Sequence, residues 1–226
     1  PSTLFRASAV DERFLVMYRR VARASHFSFQ HYANDPAYGV RWIRFLTLRD
    51  QPRIAPQEPS VVGDDLFPGS RAVIDPRRYF GFPQVDAHYQ LMIDTDIFLR
   101  ALMRDIERAG GRFVYGAMDS LDDVLRLKER LIFNCAGLGA RILFGDETLS
   151  PVRGQLTMLL PQPEIDYGYV YNAPEGLLYM FPRAGAIVLG GTVQHGDAST
   201  EPRENERARM LAGHAALSAR IEESAR

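Results

Sequence analysis

The sequence has one cysteine, Cys135, and no run of about eighteen apolar residues. A lone cysteine excludes an internal disulfide, and without a long apolar run there is no helical membrane-span signal. Charge of one sign is missing as well. Lys and Arg number 27 against 28 Asp and Glu, so no basic footprint for nucleic acid or an anionic membrane surface is present. The histidines, His26, His31, His88, His195 and His214, make no i, i+4 pair and have no cysteine at ligand spacing, so no metal site is expected. A G-x-S-x-G nucleophile elbow is also lacking. These absences point to a small-molecule partner in a reducing, cytoplasmic setting, with no nucleic acid and no membrane. The sequence begins at Pro1 without a targeting segment and stops at Arg226 inside a helical pattern, so it reads as the middle of a longer protein.

What is present is enough for a substantial core: 226 residues, 46% hydrophobic. From Asp11 the residues Phe14, Met17, Tyr18, Val21, Ala22 and Ala24 recur at helical spacing toward Tyr32. "GVRWIRFLTL" then alternates as a half-buried strand does. Gln51 to Gly69 reads as a Pro-rich loop with room for one short helix. "YQLMIDTDIFLRALMRDIERAGGRFVYGA" predicts a β-α-β unit: a short strand, Asp94 or Thr95 as N-cap, and an apolar stripe of Ile97, Leu99, Leu102, Met103 and Ile106. A glycine stop at Gly110 and Gly111 and a strand from Phe113 complete it. A short charged helix over Leu121 to Arg130 leads to a further strand at "LIF". After Gln155 come "GQLTMLL", "GYVYNA", "GLLYMFPR" and "AIVLGGTVQ", short strands with the texture of an antiparallel sheet, and then a helix over Arg203 to Ser224 with Met210, Leu211, Leu217 and Ile221 on one side. The predicted class is α+β with an α/β insertion, in two domains between which the chain crosses.

"LIFNCAGLGAR" is the segment with the most open chemistry. Gly137 and Gly139 permit close backbone approach, and a helix opening there would aim N–H groups at an anion; yet the third glycine of a dinucleotide loop and its acidic partner are missing, so a plain strand-helix turn is the simpler reading. Cys135 at a strand end reads as a small buried hydrophobe, with nothing nearby to activate it. Tyr179, between apolar neighbours on a strand, needs a partner for its hydroxyl, which leaves core packing and a ligand carboxylate both open. Gly190 and Gly191 inside a strand are costly unless a backbone or ligand comes close. Arg153 and Arg183 could pair with an anion, with surface arginine as the default.

Taken together and in order, "MIDTDIFLRALMRDIERAGGRF", "NCAGLGARILFGDETLSPVRGQL" and "YMFPRAGAIVLGGTVQHGD" resemble the FAD-dependent D-amino-acid oxidase family in its bacterial branch. The resemblance implies a substrate-binding domain with an antiparallel or mixed sheet, in two parts over residues 1–92 and 146–226, flanking a β-α-β part of a Rossmann-like FAD-binding domain over 93–145. It implies FAD as cofactor, a D-amino acid and oxygen as reactants, and imino or keto acid and hydrogen peroxide as products; a homodimer is compatible with it. Residue by residue, Met118 would meet the adenine through its backbone. Asn134, Cys135, Ala136, Gly137, Gly139 and Ala140 would lie along the FAD, and Tyr179 would hold the substrate carboxylate. Where the family carries a lid tyrosine this sequence has Glu175, with Tyr171 as an alternative, and His195 or Arg183 could set side-chain charge preference. The family's G-x-G-x-x-G loop and its R-P-x-R segment do not occur between Pro1 and Arg226, so this chain alone is expected to be inactive. Rival readings are a glycine or secondary-amine oxidase, a related FAD-dependent dehydrogenase, and a non-catalytic structural or interaction module.

Overall fold

The computed structural model describes residues 10–33, 35–52, 62–69, 71–73 and 81–224. The first element is helix α1 (Glu12–Tyr32), whose N-terminus is capped by the Asp11 carboxylate accepting from the Phe14 N–H at 2.8 Å. Its inward face is Phe14, Tyr18, Ala22, His26 and Phe29; Met17 and Val21, expected on that face, are exposed. The helix is held by side chains at its inner end: Arg23 makes two 2.8 Å bonds to Asp65, and the Phe29 ring lies 5.2 Å from Phe98.

Strand β1 (Val40–Arg49) forms where expected but is not buried on one face alone: Ile43 and Phe45 are buried on one side and Val40, Leu46 and Leu48 on the other. Of the loop expected over Gln51 to Gly69, residues 53–61 lie outside the described residues, and a 3-10 turn at Asp64–Leu66 is its short helical piece. Strand β2 (Arg71–Val73) pairs with β3 (Gln84–Ile93), which is twice the length expected because it pairs with β1 along all ten residues. Helix α2 (Thr95–Arg108) begins after Asp94 and ends at Gly110, whose φ is +87°.

Beyond Gly111 the structure departs from the expected β-α-β unit. Neither the segment from Phe113 nor Leu131–Phe133 enters a sheet, because no described strand runs beside them; Val114, Tyr115 and Phe133 are 90%, 89% and 81% exposed. The apolar stripe of α2 divides for the same reason: Ile97 and Leu102 turn inward with Ala101, while Leu99, Met103 and Ile106 stay exposed. The charged helix α3 is shorter than expected, Leu121–Leu125, and opens on a capping box between Ser120 and Asp123. A 3-10 turn at Gly137–Gly139 leads into α4 (Ala140–Phe144).

The last third supplies β4 (Val152–Arg153), β5 (Leu156–Leu159), β6 (Tyr167–Ala173), β7 (Gly176–Arg183), β8 (Ala186–Gly190), β9 (Gln194–His195) and α5 (Glu204–Ser224). The main sheet has the order β2-β3-β1-β6-β7-β8-β5, antiparallel throughout except where β1 runs parallel to β6; β4 and β9 form a separate pair. The fold is α+β with a mixed sheet. Its two halves meet at the β1–β6 junction, and residues 94–151, which join them, place no strand in either sheet. Helix α5 covers one sheet face with Met210, His214 and Leu217, packed toward Leu46, Tyr169, Met180 and Leu189. Gly213 allows this approach, since a Cβ there would stand 2.9 Å from a Leu178 methyl. The expected inward stripe of α5 holds at Met210 and Leu217; the side chain of Ile221 lies outside the described ones.

Candidate functional site

The sheet face opposite α5 carries the chemistry. Register partners run straight across it as Asp86, Thr47, Val170, Tyr179, Gly190 and Leu156, from β3 to β5. Residues directly opposite share a face, so these side chains form one row. The neighbouring row holds His88, Phe45, Phe181, Val188 and Met158. Phe45 and Phe181 stack at 5.5 Å across Gly168, whose lack of a side chain makes room: a Cβ there would sit 2.9 Å from Phe45.

Tyr179 is half-buried in the first row, its ring 5.5 Å from Phe181. Burial pushes its hydroxyl pKa up, against a smaller opposing pull from Arg183, so at neutral pH it is a neutral donor. Other tyrosines spend their hydroxyls inside the protein: Tyr38 bonds Asp105, Tyr169 meets His214, and Tyr171 donates to Asp50 at 2.5 Å. The Tyr179 hydroxyl has no hydrogen-bond partner among the described residues. Nor is it among the buried atoms left without a partner, so the hydroxyl reaches solvent and is open to water or a ligand.

The alternatives fare differently. Tyr171 pairs with Leu178, whereas its neighbour Val170 pairs with Tyr179, which puts Tyr171 on the opposite face, where it touches Phe82 and is held by Asp50; it cannot stand in beside Tyr179. Arg153 is buried and fully engaged, donating to the Ser199 and Glu201 carbonyls and to the Gln155 and Gln194 side chains, so it braces the β4–β9 region and is not free to meet an anion. Arg183 shares the Tyr179 face and donates to Thr95 at 2.9 Å, while its Nε is buried without a partner. His195 is exposed on β9.

The turn expected to face a cofactor lies near the other end of this face. Asn134 Oδ1 accepts from the Ala136 N–H at 3.1 Å, closing an Asx turn, and the Gly139 N–H bonds the Ala136 carbonyl at 2.9 Å. Gly137 has φ +55° with open space beyond its Cα. Asn134, Ala136 and Gly137 are exposed, as is Met118, whereas Gly139 is half-buried and Ala140 buried. Cys135, expected to be buried, is exposed, because the strand it was to end does not form. Leu138 from this turn and Leu156 and Met158 from β5 line one open cleft of about 740 Å³. Leu156 is directly across Gly190 from Tyr179, and the cleft it lines also carries Arg153, Asp197, Ser199 and Arg207. The open space beyond Gly137 leaves the backbone of this turn reachable by a ligand. Among the described residues no metal-holding cluster occurs and no helix is long and apolar enough to cross a membrane.

Sequence reasoning missed two couplings. Asp94, one of the two expected N-caps, does stand at the N-cap of α2, but its side chain makes no cap bond and accepts from the Ala184 N–H at 2.8 Å, tying the helix start to the β7–β8 turn. Gly191 is explained by backbone, since a Cβ there would run into the Leu177 carbonyl, and Gly190 by the Tyr179 ring; their strand pattern could flag close approach but not its source.

The chain belongs to the FAD-dependent oxidoreductase family, whose model matches residues 85–224. It is similar to a D-amino-acid oxidase of Rubrobacter xylanophilus, 31% identical over 185 residues, covering 77% of this chain and 52% of that protein. A D-amino acid oxidase of Dugesia ryukyuensis is 34% identical over 178 residues, 78% of this chain and 51% of its own length. A D-amino-acid oxidase of Dictyostelium discoideum is 25% identical over 202 residues, with shares of 88% and 56%. The chain thus spans about half the length of the curated relatives it matches.

Proposed function

We propose that the whole protein oxidises D-amino acids with FAD, that residues 93–145 belong to its FAD-binding domain, and that 1–92 and 146–226 form its substrate-binding domain. The sheet supports this division, since its strands come from either side of 94–151 and none from within. Met118 and the turn Asn134, Cys135, Ala136, Gly137, Gly139 and Ala140 would hold the cofactor. Bound FAD would supply the two-electron oxidation of the amino acid to an imino acid, which hydrolyses to a keto acid, with oxygen as the acceptor reduced to hydrogen peroxide.

The chain's own part is to bind and orient. Tyr179, neutral and a donor, would give one hydrogen bond to the substrate carboxylate, a charge-assisted bond that fixes one end of the molecule. The apolar surface of Leu156, Met158 and Phe181 would exclude water from the other side of that bond. The unpartnered Tyr179 hydroxyl carries this reading.

The test is peroxide release from the FAD-loaded full-length protein over a panel of D- and L-amino acids, glycine and secondary amines. D-amino acids are expected to be oxidised and their L-forms not; activity restricted to glycine or secondary amines, or reduction of a dye without peroxide, would favour the rival enzymes. Tyr179→Phe should raise KM roughly tenfold or more, the worth of one hydrogen bond to a charged group, and an unchanged KM would remove Tyr179 from the site.

A further inference from the structure

A donor that holds a carboxylate is useful only if its direction is fixed, and a tyrosine ring on a sheet face has several places to lie. Here one side is taken by the branched side chain of Val170 and the next row by Phe181, tilted 57° to the Tyr179 ring. The remaining direction is across β8, over Gly190. A Cβ at Gly190 would fall inside the contact distance of Tyr179 Cζ, Cε2 and Oη together, so the ring occupies the very space an alanine methyl would need. Gly190 does not have the left-handed backbone that makes Gly191, at φ +153°, a glycine on conformational grounds. Gly190 has no positive φ to exclude alanine, and the three atoms nearest a Cβ there all belong to Tyr179.

Resting on the reading of Tyr179 as carboxylate donor, we propose that Gly190 is a positioning residue: its missing side chain forms the slot in which the Tyr179 ring lies and fixes where the hydroxyl leaves the sheet. Across Gly190 in the register stands Leu156, which lines the cleft and has no side-chain acceptor to offer that hydroxyl. A methyl at Gly190 pushes the ring out of the slot, and the hydroxyl moves with it.

The experiment uses the FAD-loaded full-length protein and its best D-amino acid. Gly190→Ala should raise KM roughly tenfold or more while kcat at saturating substrate stays within about threefold, because the bond lost is one of ground-state binding. Added to Tyr179→Phe, where no hydroxyl remains to misplace, G190A should raise KM no further. KM unchanged in G190A beside a raised KM in Y179F overturns the proposal alone, as do KM increases that simply multiply in the double variant. A wild-type KM in Y179F sinks the carboxylate reading and the functional half of the proposal with it. Thermal unfolding of G190A, Y179A and Y179A/G190A keeps the slot decidable if G190A fails to fold. Folding of Y179A/G190A as stable as Y179A supports it, and collapse of that double variant where Y179A folds overturns it.

Discussion

At the scale of single residues, titration and reactivity separate groups that the sequence could only enumerate. His214 is buried, its Nδ1 2.5 Å from the Tyr169 hydroxyl. Burial, opposed by the Gly190 backbone and aided by the Arg209 charge, depresses its pKa below the ordinary 6.5 and favours the neutral imidazole. A depressed pKa means that the stabilising neutral form is fully present above about pH 6.5 and is lost as pH falls through the folded value. Urea midpoints should accordingly fall between about pH 7.5 and 5, with His26 and His88, also depressed chiefly by burial, adding in the same direction. His214→Phe should flatten that dependence, and equal slopes for variant and parent would refute the assignment. Cys135 gives a second residue-scale expectation. Its exposed thiol should react quickly with a disulfide reagent, and in the full-length protein FAD loading should slow that reaction if the turn faces the cofactor. Tyr179 shows what was legible at this scale and what was not. Its apolar strand neighbours predicted burial and a need for a partner, but whether that partner was internal depended on register. The same register separates Tyr179 from Tyr171 by face, which no local pattern around either residue reveals.

Elements with a covered face were legible, and those without one were not. Helix α5 read directly from a three-to-four residue stripe, because it has one face against the core, and strand β1 from its β-branched and aromatic run, although both its faces are partly buried. Helix α2 carries apolar residues on two sides, so its pattern could not say that Leu99, Met103 and Ile106 would be exposed. The segments at Phe113 and Leu131 have strand composition without a neighbour to pair with, and composition alone does not make a ladder. The contribution of α5 can be measured. Leu217 is 5% exposed and joins the core cluster, so Leu217→Ala should cost about 2–5 kcal/mol of unfolding free energy by urea titration. Ala219→Ser on the exposed side should stay within about 0.5 kcal/mol. A smaller loss at Leu217 than at Ala219 would show that the helix is not seated as described. Arg220 adds to the seating, stacking 3.7 Å over Phe82 and bonding Asp50 at 2.9 Å.

At the scale of the whole molecule, the parallel contact between β1 and β6 decides how the two ends of the chain cohere. Arg44 is in register with Tyr167 and Leu48 with Tyr171, so strands far apart in sequence are zipped edge to edge in the middle of the sheet. The connection between them passes through the exposed stretch from Gly111 to Leu131, which has few interior contacts of its own. The sheet's integrity therefore does not depend on the continuity of that stretch. Limited proteolysis should nick it first, among the exposed arginines and lysine from Arg112 to Arg130, and the two polypeptides should elute together at the intact mass by native size exclusion. Separation of the pieces in native buffer would show that the junction is weaker than its register implies. The same logic makes the chain a candidate for reassembly from two separately produced halves: the central β1–β6 seam would act as the recognition surface by which one polypeptide finds the other.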